Sequence, residues 1–338
     1  MQSSKKILVT GAGGFIGYHL ATRLKAQGHW VRGADIKLPE YGLSKTNEFA
    51  KVDLRDRANC DAVVAGVDEI YHLAADMGGI GYISQSHHEI TVNNTLMDLN
   101  MIEAARAAGV PRFLYSSSAC VYPSFKQETP DVVPLREADA WPAMPEEGYG
   151  LEKLYTEKLL QYVAEDFGME TRSVRFHNVY GPEGTYDGGR EKVPAAIARK
   201  VALAKDGGDI EVWGDGEQTR SFMFVDDCVE GIIRIMASDC RQPLNLGTDE
   251  MVTINELVDV VCDIAGKKLV KRHDTSKPQG VRGRNSDNTM LRDVLGWEPT
   301  RTLRAGMTPT YRWIESQLDG RAGSGRERVA AAVAAPDR

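Results

Sequence analysis

Short runs of apolar and β-branched residues alternate with helical patterns along the first half of the chain. The runs that predict strands are Lys6–Thr10, Trp30–Ile36, Glu69–Ala74, Arg112–Ser116 and Arg172–Phe176. Apolar spacings of three and four residues predict helices between them, at Phe15–Gln27, Val92–Ala108 and Gly150–Phe167. Strands that alternate with helices of this length form βαβ units, whose right-handed crossovers give a doubly wound parallel sheet. The pattern therefore predicts an α/β fold of the Rossmann type for residues 1–177.

The pattern changes after Asn178, where Gly181–Arg190 predicts a loop rich in glycine and charge. The elements expected beyond it are helices at Pro194–Ala204, Asp227–Met236 and Ile254–Ala265, a strand at Ile210–Trp213 and a loop at Ser276–Asp287. We interpret residues 178–318 as a smaller C-terminal α/β substrate domain, with segments at about 215–250 partly returning to the first domain. Residues 319–338 lack core periodicity, and we expect a mobile tail there.

Composition narrows the classes of partner. The chain has 338 residues, and its formal net charge of −7 repels phosphate backbones and anionic lipid surfaces on average. No apolar run approaches the roughly 20 residues of a membrane span, and the first residues lack the pattern of a signal peptide. We therefore expect neither a nucleic-acid-binding protein nor a membrane protein.

The cysteines indicate the redox environment. There are five, widely spaced and without a C-x-x-C pair, which excludes a disulfide scaffold and a cysteine-rich zinc site. This usage predicts a reducing, cytoplasmic location. His87 and His88 lack further ligands at metal spacing, so we predict no metal site.

A glycine-rich turn follows the first predicted strand and opens the first predicted helix. Gly11, Gly14 and Gly17 are spaced three apart, with Phe15 and Ile16 between the last two. Such glycines permit a tight turn, close approach of a pyrophosphate and packing of helix on strand, while the helix N-terminus offers free N–H groups to the phosphates. The strand–turn–helix context predicts a dinucleotide site.

Residues after the later strands extend this site. Asp35 ends the second strand, where a carboxylate accepts hydrogen bonds from a ribose and repels a 2′-phosphate, so we predict NAD rather than NADP. Asp53 and Leu54 are candidates for the adenine end. Small and apolar residues that could form a wall beside the cofactor follow at Leu73, Ala74 and Ala75.

Tyr149 and Lys153 lie four residues apart on one face of a predicted helix. A neighbouring ammonium stabilises a phenolate, which can take a proton from an alcohol as hydride leaves the same carbon. Together with the glycine-rich turn and Ser118, this pair resembles the Ser–Tyr–Lys set of the short-chain dehydrogenase/reductase family. The glycine spacing and the length resemble its extended branch, which acts on nucleotide sugars. The resemblance implies that Ser118 binds the substrate hydroxyl and that Tyr149 and Lys153 are catalytic and also contact the cofactor.

Longer stretches resemble, within that family, the enzymes that epimerise GDP-mannose at carbons 3 and 5. They are Ala75–Gly81, Ser117–Pro123, Phe176–Asn178, Gly188–Lys192, Trp213–Arg220 and Gly280–Asp287, within a match from about residue 6 to about 317. The resemblance implies conversion of GDP-α-D-mannose to GDP-β-L-galactose, with GDP-L-gulose as a possible product of change at carbon 5 alone.

The resemblance also implies the residues that move protons at the sugar carbons. Oxidation at carbon 4 to a ketone acidifies the C–H bonds at carbons 3 and 5, and an acid–base pair can then invert them. By resemblance Cys120 removes the proton and Lys192 delivers one, and a nearby cation would favour the reactive thiolate. Alone, Cys120 could be an inert buried thiol and Lys192 a solvated charge.

Further residues carry over as substrate contacts. The resemblance implies this role for Gly78, Ser118, Ala119, Cys120, Asn178, Glu191, Lys192, Val193, Lys200, Gln218, Thr219, Arg220 and Arg282. The cations among them suit a diphosphate, because guanidinium and ammonium groups bind phosphate oxygens. Each of them alone could equally be a solvated surface charge, and Arg284 could be either a substrate contact or a structural partner of its loop.

Rival functions differ in the chemistry that they require. A 4,6-dehydratase needs carboxylates near Ser118, where the chain has Ala119, Cys120 and Val121. A 4-epimerase would not need a facing Cys–Lys pair. A non-catalytic NAD-sensing protein would have no use for Tyr149 and Lys153. The helices at Val92–Ala108 and Gly150–Phe167 correspond to those that build a four-helix interface in such enzymes, which predicts a homodimer.

Overall fold

The order of helices and strands follows the predicted alternation. The computed structural model describes residues 4–333, without the side chains of Ile80 and of residues 321–333. The strands are β1 (Lys6–Thr10), β2 (Trp30–Asp35), β3 (Glu48–Lys51), β4 (Glu69–His72), β5 (Arg112–Ser118), β6 (Glu170–Phe176), β7 (Asn178–Tyr180), β8 (Asp209–Trp213), β9 (Thr219–Phe224), β10 (Leu244–Leu246), β11 (Met251–Thr253), β12 (Val270–Asp274) and β13 (Gly283–Arg284). The helices are α1 (Phe15–Ala26), α2 (Arg57–Val64), α3 (Ile80–Ile83), α4 (His87–Ala107), α5 (Tyr149–Phe167), α6 (Val193–Leu203), α7 (Val225–Ala237), α8 (Ile254–Ala265), α9 (Thr289–Leu295) and α10 (Leu303–Val333).

A seven-stranded parallel sheet forms the centre, in the order β10-β6-β5-β4-β1-β2-β3. Its pairings are all parallel, for example Lys6 opposite Trp30 and Arg112 opposite Glu170. The predicted α/β fold of the Rossmann type is confirmed. Because parallel strands end at one edge, the turns after β1, β2, β4 and β5 lie together, where such sheets bind their ligands.

Two smaller sheets form the rest of the β structure in the described residues. One contains β11, β9 and β13, with β7 also paired to β9, and the other pairs β8 with β12. The segment Val225–Leu246 lies between β9 and β11 in the sequence. It supplies α7 and β10, the outermost strand of the central sheet. The expectation of a loop over Ser276–Asp287 is wrong in one place, because Gly283 and Arg284 pair as β13 with β9.

Several predicted boundaries differ from the structure for physical reasons. α4 begins at His87, five residues before the predicted start, because its first three residues, His87 to Glu89, are polar and exposed and give no apolar signal. β4 ends at His72, since the next two backbone N–H groups, of Leu73 and Ala74, donate to Thr10 Oγ1 instead of continuing the ladder.

The last helix, α10, continues into the predicted tail. α10 continues to Val333, so residues 319–333 are helical where the sequence suggests a tail without core contacts. The expected mobility of this tail stays a prediction, and its last five residues, 334–338, lie outside the described residues. None of the helices within residues 4–333 combines the length and the apolar character that crossing a bilayer requires.

Candidate active site

A cavity of about 630 Å³ opens at the carboxyl ends of the central strands. It brings together most of the residues predicted to hold the cofactor and several predicted to meet the substrate. The predicted residues that line it are Gly11, Gly14, Phe15, Ile16, Gly17, Asp35, Asp53, Leu54, Leu73, Ala74, Ala75, Gly78, Ser118, Tyr149 and Lys192.

The glycine-rich turn leaves no room for side chains. Gly11 has a φ of +71°, and a Cβ placed on it would come within 2.8 Å of the Ala74 nitrogen. A Cβ on Gly17 would come within 2.1 Å of the Gly11 oxygen, because α1 packs directly on the turn. Glycine is therefore required at both positions, and the free N–H groups at the start of α1 face the cavity.

Asp35 lies at the end of β2, at the cavity wall. Its carboxylate accepts hydrogen bonds from the backbone N–H of Gly13 at 2.9 Å and of Lys37 at 3.0 Å. Burial raises the pKa of Asp35, while these two bonds act in the opposite direction. Asp53, the second predicted acidic residue, is paired with Arg55 at 2.6 Å and its pKa is lowered mainly by that bond.

Ser118 and Tyr149 face each other at the inner end of the cavity. Ser118 ends β5 and Tyr149 begins α5, and both side chains are nearly buried. Burial raises the pKa of Tyr149 well above its ordinary value, and the charges of Cys120 and Glu152 raise it further, while a hydrogen bond with Ser118 lowers it. The phenol thus needs a cation close by before it can act as a base near neutral pH.

Lys153 is that cation, one helical turn further along α5. Its amine lies 5.5 Å from the ring centroid of Tyr149 and is fully buried. It has no hydrogen-bond partner within the described residues, which is costly for a buried ammonium. A dinucleotide ribose above it would supply hydroxyl acceptors. This orphaned amine, the glycine cradle and Asp35 fit a bound NAD.

Cys120 follows Ser118 in a single 3₁₀ turn, Ala119–Val121. Its backbone N–H donates to Ser118 Oγ at 3.2 Å, and its side chain is 8% exposed. Lys192 precedes α6 and lines the cavity. Burial lowers the pKa of Lys192, while negative charge at Cys120 or Cys228 would act against this. Lys192 thus lines the cavity that also contains Ser118 and Tyr149, and Cys120 lies in the turn that follows Ser118.

The guanidinium of Arg284 contacts Cys120. From the sequence alone, Arg284 could be either a substrate contact or a structural partner of its loop. Its Nη1 donates to the Cys120 sulfur at 3.6 Å and its Nε donates to Gln127 Oε1 at 2.6 Å, while Glu146 binds the other end of the fork. The position follows from pairing of β13 with β9, which places Arg284 opposite Arg220. A two-residue strand gives no sequence signal, so this contact becomes visible only in the fold.

The remaining predicted substrate residues do not line the cavity in this structure. Three have polar partners in the chain: Asn178 donates to the Ser221 oxygen, Thr219 to the Pro130 oxygen, and Gln218 to the Trp213 oxygen. Ala119 is buried in the 3₁₀ turn, and Val193 is 37% exposed at the start of α6.

The charged residues of this set are paired with other parts of the chain. Glu191 pairs with Arg199 at 3.2 Å, Lys200 with Glu211 at 2.8 Å and Arg282 with Asp215 at 3.0 Å. Arg220 donates to the backbone oxygens of Thr219 and Val281, and burial lowers its pKa to about 10. The Lys200–Glu211 and Arg282–Asp215 pairs are partly exposed, and such pairs contribute little to the free energy of unfolding. Replacement of their carboxylate by a phosphate group would therefore cost little.

Two loops meet beside the cavity in what we call the mouth clasp, formed by Asp76, Gly79, Tyr82 and Arg190. The Gly79 N–H donates to the Arg190 oxygen at 3.2 Å, and the Arg190 side chain approaches Asp76 to 3.3 Å. The Arg190 guanidinium also lies 3.9 Å from the ring centroid of Tyr82. The clasp joins the Gly78 segment to the loop that carries Lys192.

The described residues contain no cluster of three or more histidine, cysteine, aspartate or glutamate side chains that could hold a metal ion.

Comparison with known proteins defines the class. The model of the NAD dependent epimerase/dehydratase family matches residues 7–247. The GDP-mannose 3,5-epimerase of Arabidopsis thaliana is 52% identical over 93% of this chain and 83% of its own length. Among solved structures, the UDP-glucose 4-epimerase of Thermotoga maritima is 26% identical, with a TM-score of 0.83 over 93% of this chain and 99% of that one. The UDP-glucose 4-epimerase of Thermus thermophilus in complex with NAD is 25% identical, with a TM-score of 0.79 over 91% and 98% of the two chains.

The chain belongs to the NAD dependent epimerase/dehydratase family. It is an NAD-dependent enzyme of the isomerase class.

Proposed function

We propose that this enzyme epimerises GDP-α-D-mannose at carbons 3 and 5 to GDP-β-L-galactose, and that change at carbon 5 alone releases GDP-L-gulose. The observation that carries the proposal is that Ser118, Tyr149 and Lys192 line one cavity, with Cys120 in the turn that directly follows Ser118. The 52% identity with the Arabidopsis thaliana enzyme of that name supports it.

The proposed mechanism assigns each proton to a side chain. Tyr149, aided by Lys153, takes the proton of the carbon-4 hydroxyl, while Ser118 orients that hydroxyl. When bound, NAD would supply the acceptor for the carbon-4 hydride and the donor that returns it, and the glycine-rich turn, Asp35 and Lys153 would hold it. The ketone acidifies the neighbouring C–H bonds, so that Cys120 can remove a proton from one face and Lys192 can deliver one to the other. Tyr149 returns its proton when carbon 4 is reduced again.

We further propose that residues 178–318 bind the nucleotide sugar and residues 1–177 the cofactor. Gly78, Ala119, Asn178, Glu191 and Val193 would contact the sugar, and Gln218 and Thr219 the rest of the GDP-sugar. Lys200, Arg220 and Arg282 would bind the diphosphate or the nucleotide. The partners that these cations have in the chain, Glu211 and Asp215 among them, are groups that a diphosphate could replace.

Proton NMR of GDP-mannose with the enzyme in deuterated water tests the function. We expect deuterium at carbons 3 and 5 and signals of the galactose and gulose nucleotides. Inversion at carbon 4 without exchange would instead show a 4-epimerase, loss of oxygen at carbon 6 a 4,6-dehydratase, and no reaction a non-catalytic NAD-binding protein. Each of these three outcomes would overturn the proposal.

We also propose a homodimer built from α4 and α5. These helices pack against each other and expose large apolar side chains that a globular surface rarely groups together. They are Val92 and Leu96 on α4 and Leu151, Tyr155 and Tyr162 on α5. Pairing with the same helices of a second copy would bury them in a four-helix interface.

Replacement of Leu96 by arginine should weaken this dimer by at least about tenfold, because two copies of the charge would meet near the symmetry axis. Light scattering after gel filtration measures the change. Leu203→Arg is the matched control, because Leu203 is 61% exposed on α6, away from the proposed interface. Equal effects of the two substitutions would contradict the proposal.

For the location, we propose the cytoplasm. All five cysteines are free in the structure, and Cys120 must stay reduced to act as a base.

A further inference from the structure

A buried polar cluster lies beneath the cavity, behind the catalytic lysine. We call it the Asp98 cluster, and it comprises Thr10, His72, Asp98, Tyr115, Glu152 and Thr156 around Lys153. Its members come from β1, β4, α4, β5 and α5, so the whole centre of the fold contributes to it. Asp98 is 1% exposed and lies on the face of α4 that packs against the sheet. None of these residues except Lys153 has a role in the mechanism above.

Asp98 accepts three hydrogen bonds. His72 Nε2 lies 2.9 Å from Oδ1, while the Tyr115 hydroxyl lies 2.7 Å and the Thr156 hydroxyl 3.1 Å from Oδ2. Burial alone would raise the pKa of Asp98, but Lys153, His72 and Tyr115 outweigh it and the pKa is lowered. The three hydrogen-bond donors thus favour the ionised form of Asp98 in spite of its burial.

The tautomer of His72 follows from its second partner. Thr10 Oγ1 accepts the backbone N–H groups of Leu73 and Ala74, so its own hydrogen points to His72 Nδ1 at 2.7 Å. Nδ1 is then an acceptor and Nε2 carries the proton that Asp98 accepts. In this arrangement His72 accepts a hydrogen bond from Thr10 and donates one to Asp98.

Glu152 is the carboxylate nearer to the amine, yet it is a poor counter-charge. Its Oε1 lies 3.7 Å from Lys153 Nζ and accepts Asn94 Nδ2 at 2.8 Å, while Oε2 has no hydrogen-bond partner among the described residues. Burial raises the pKa of Glu152 to about 8 and Asp98 raises it further, while the charge of Lys153 acts in the opposite direction. With three donors on Asp98 and an unpartnered oxygen on Glu152, the contacts favour Asp98 as the carboxyl group that carries the negative charge.

Lys153 needs that one charge. A buried amine loses its proton readily, and neutral Lys153 could not stabilise the Tyr149 phenolate. The groups that face it are Tyr115 from β5, Tyr149 and Glu152 from α5, and Asp98 from α4. We propose that Asp98 is a positioning residue that acts through Lys153, because its ionised carboxylate is the buried counter-charge that keeps Lys153 protonated beside Tyr149.

The inference rests on the proposed function for its kinetic test, which compares Asp98→Asn with Glu152→Gln. Both substitutions change one carboxyl group to an amide of the same shape, but on our proposal only the first removes the negative charge that acts on Lys153. The rate of formation of reduced nicotinamide from GDP-mannose is measured from about pH 6 to about pH 9. At the alkaline end we expect a loss of at least about tenfold in Asp98→Asn, which shrinks as the pH falls and Lys153 is reprotonated. Glu152→Gln should leave the position of the alkaline limb unchanged.

A structural role would give a different pattern. If Asp98 only supports the fold, its variant will lose the same factor at every pH, and that result would overturn the proposal. An equal displacement of the alkaline limb in Glu152→Gln would also overturn it, because the charge would then reside on the wrong carboxyl group.

A second measurement needs no sugar, and so separates failure of this inference from failure of the proposed function. In protein labelled with ¹³C-lysine and saturated with NAD, the Lys153 side-chain resonance is identified by its loss in Lys153→Met. It should titrate at lower pH in Asp98→Asn than in the unsubstituted enzyme, and an unchanged titration would refute the inference. Chemical unfolding of both variants establishes that each is folded over the range used.

Discussion

Replacement of Cys120 by alanine is expected to lower exchange of the sugar C–H bonds with solvent by at least about a hundredfold, the ordinary contribution of a positioned base. NAD binding and oxidation at carbon 4 should remain, because Ser118, Tyr149 and Lys153 do not depend on the sulfur for their positions. Deuterium incorporation measures the first effect, and absorbance of the reduced nicotinamide measures the second.

Cys240→Ser is the control for this experiment. Cys240 is partly exposed and follows α7 on the surface, so its substitution tests for general effects of removing a thiol. In Cys120→Ala we expect deuterium exchange to be lost while oxidation at carbon 4 is kept, and in Cys240→Ser we expect both to be kept. Exchange at the unsubstituted rate in Cys120→Ala would remove Cys120 from the mechanism.

The second large effect concerns Tyr149. Tyr149→Phe should lower the rate of oxidation at carbon 4 by at least about a hundredfold, because it removes the phenol that we propose as acceptor of the hydroxyl proton. Without the ketone the carbon-bound protons stay inert, so deuterium exchange at carbons 3 and 5 should fall by the same factor. The joint loss distinguishes this variant from Cys120→Ala, where the two readouts separate.

Tyr71→Phe is a suitable control for the loss of a buried phenol. Tyr71 lies in β4, is 2% exposed and does not line the cavity. We expect its variant to keep both readouts. Normal formation of the ketone in Tyr149→Phe would show that another group accepts the proton and would refute the assignment.

Local sequence could predict those parts of the site whose residues lie close together in the chain. Gly11, Gly14 and Gly17 belong to one turn, and Tyr149 and Lys153 to one helical face, so spacing alone brings them together. Asp35 follows from the strand that it ends. The parallel sheet, likewise, follows from the alternation of strands and helices.

The parts that it could not predict depend on pairing between distant segments. Arg284 reaches Cys120 only because β13 pairs with β9, and a two-residue strand has no period to detect. Asp98 lies within a helix of mixed polarity, and nothing in its sequence neighbours indicates that His72 and Tyr115 converge on it. β3 and α2 were also missed, since β3 is a half-exposed edge strand without apolar alternation.

Motif reasoning also cannot tell which partners a residue already has. Lys200 and Arg282 suit a diphosphate by their chemistry, but the fold shows each paired with a carboxylate of the chain. The resemblance therefore indicated which residues could bind the nucleotide. The ion pairs of the structure show in addition that each cation would have to leave its carboxylate partner to do so.

The mouth clasp bears on how many catalytic cycles one bound cofactor can support. An enzyme that oxidises a sugar only to reduce it again is stranded with reduced cofactor whenever the ketone diffuses away. Arg190 contacts Tyr82 and Asp76 beside the cavity, and it belongs to the loop that also carries Lys192. If Lys192 donates the proton as we propose, a movement of this loop that let the ketone leave would also displace the donor, so that retention and proton transfer would depend on one segment.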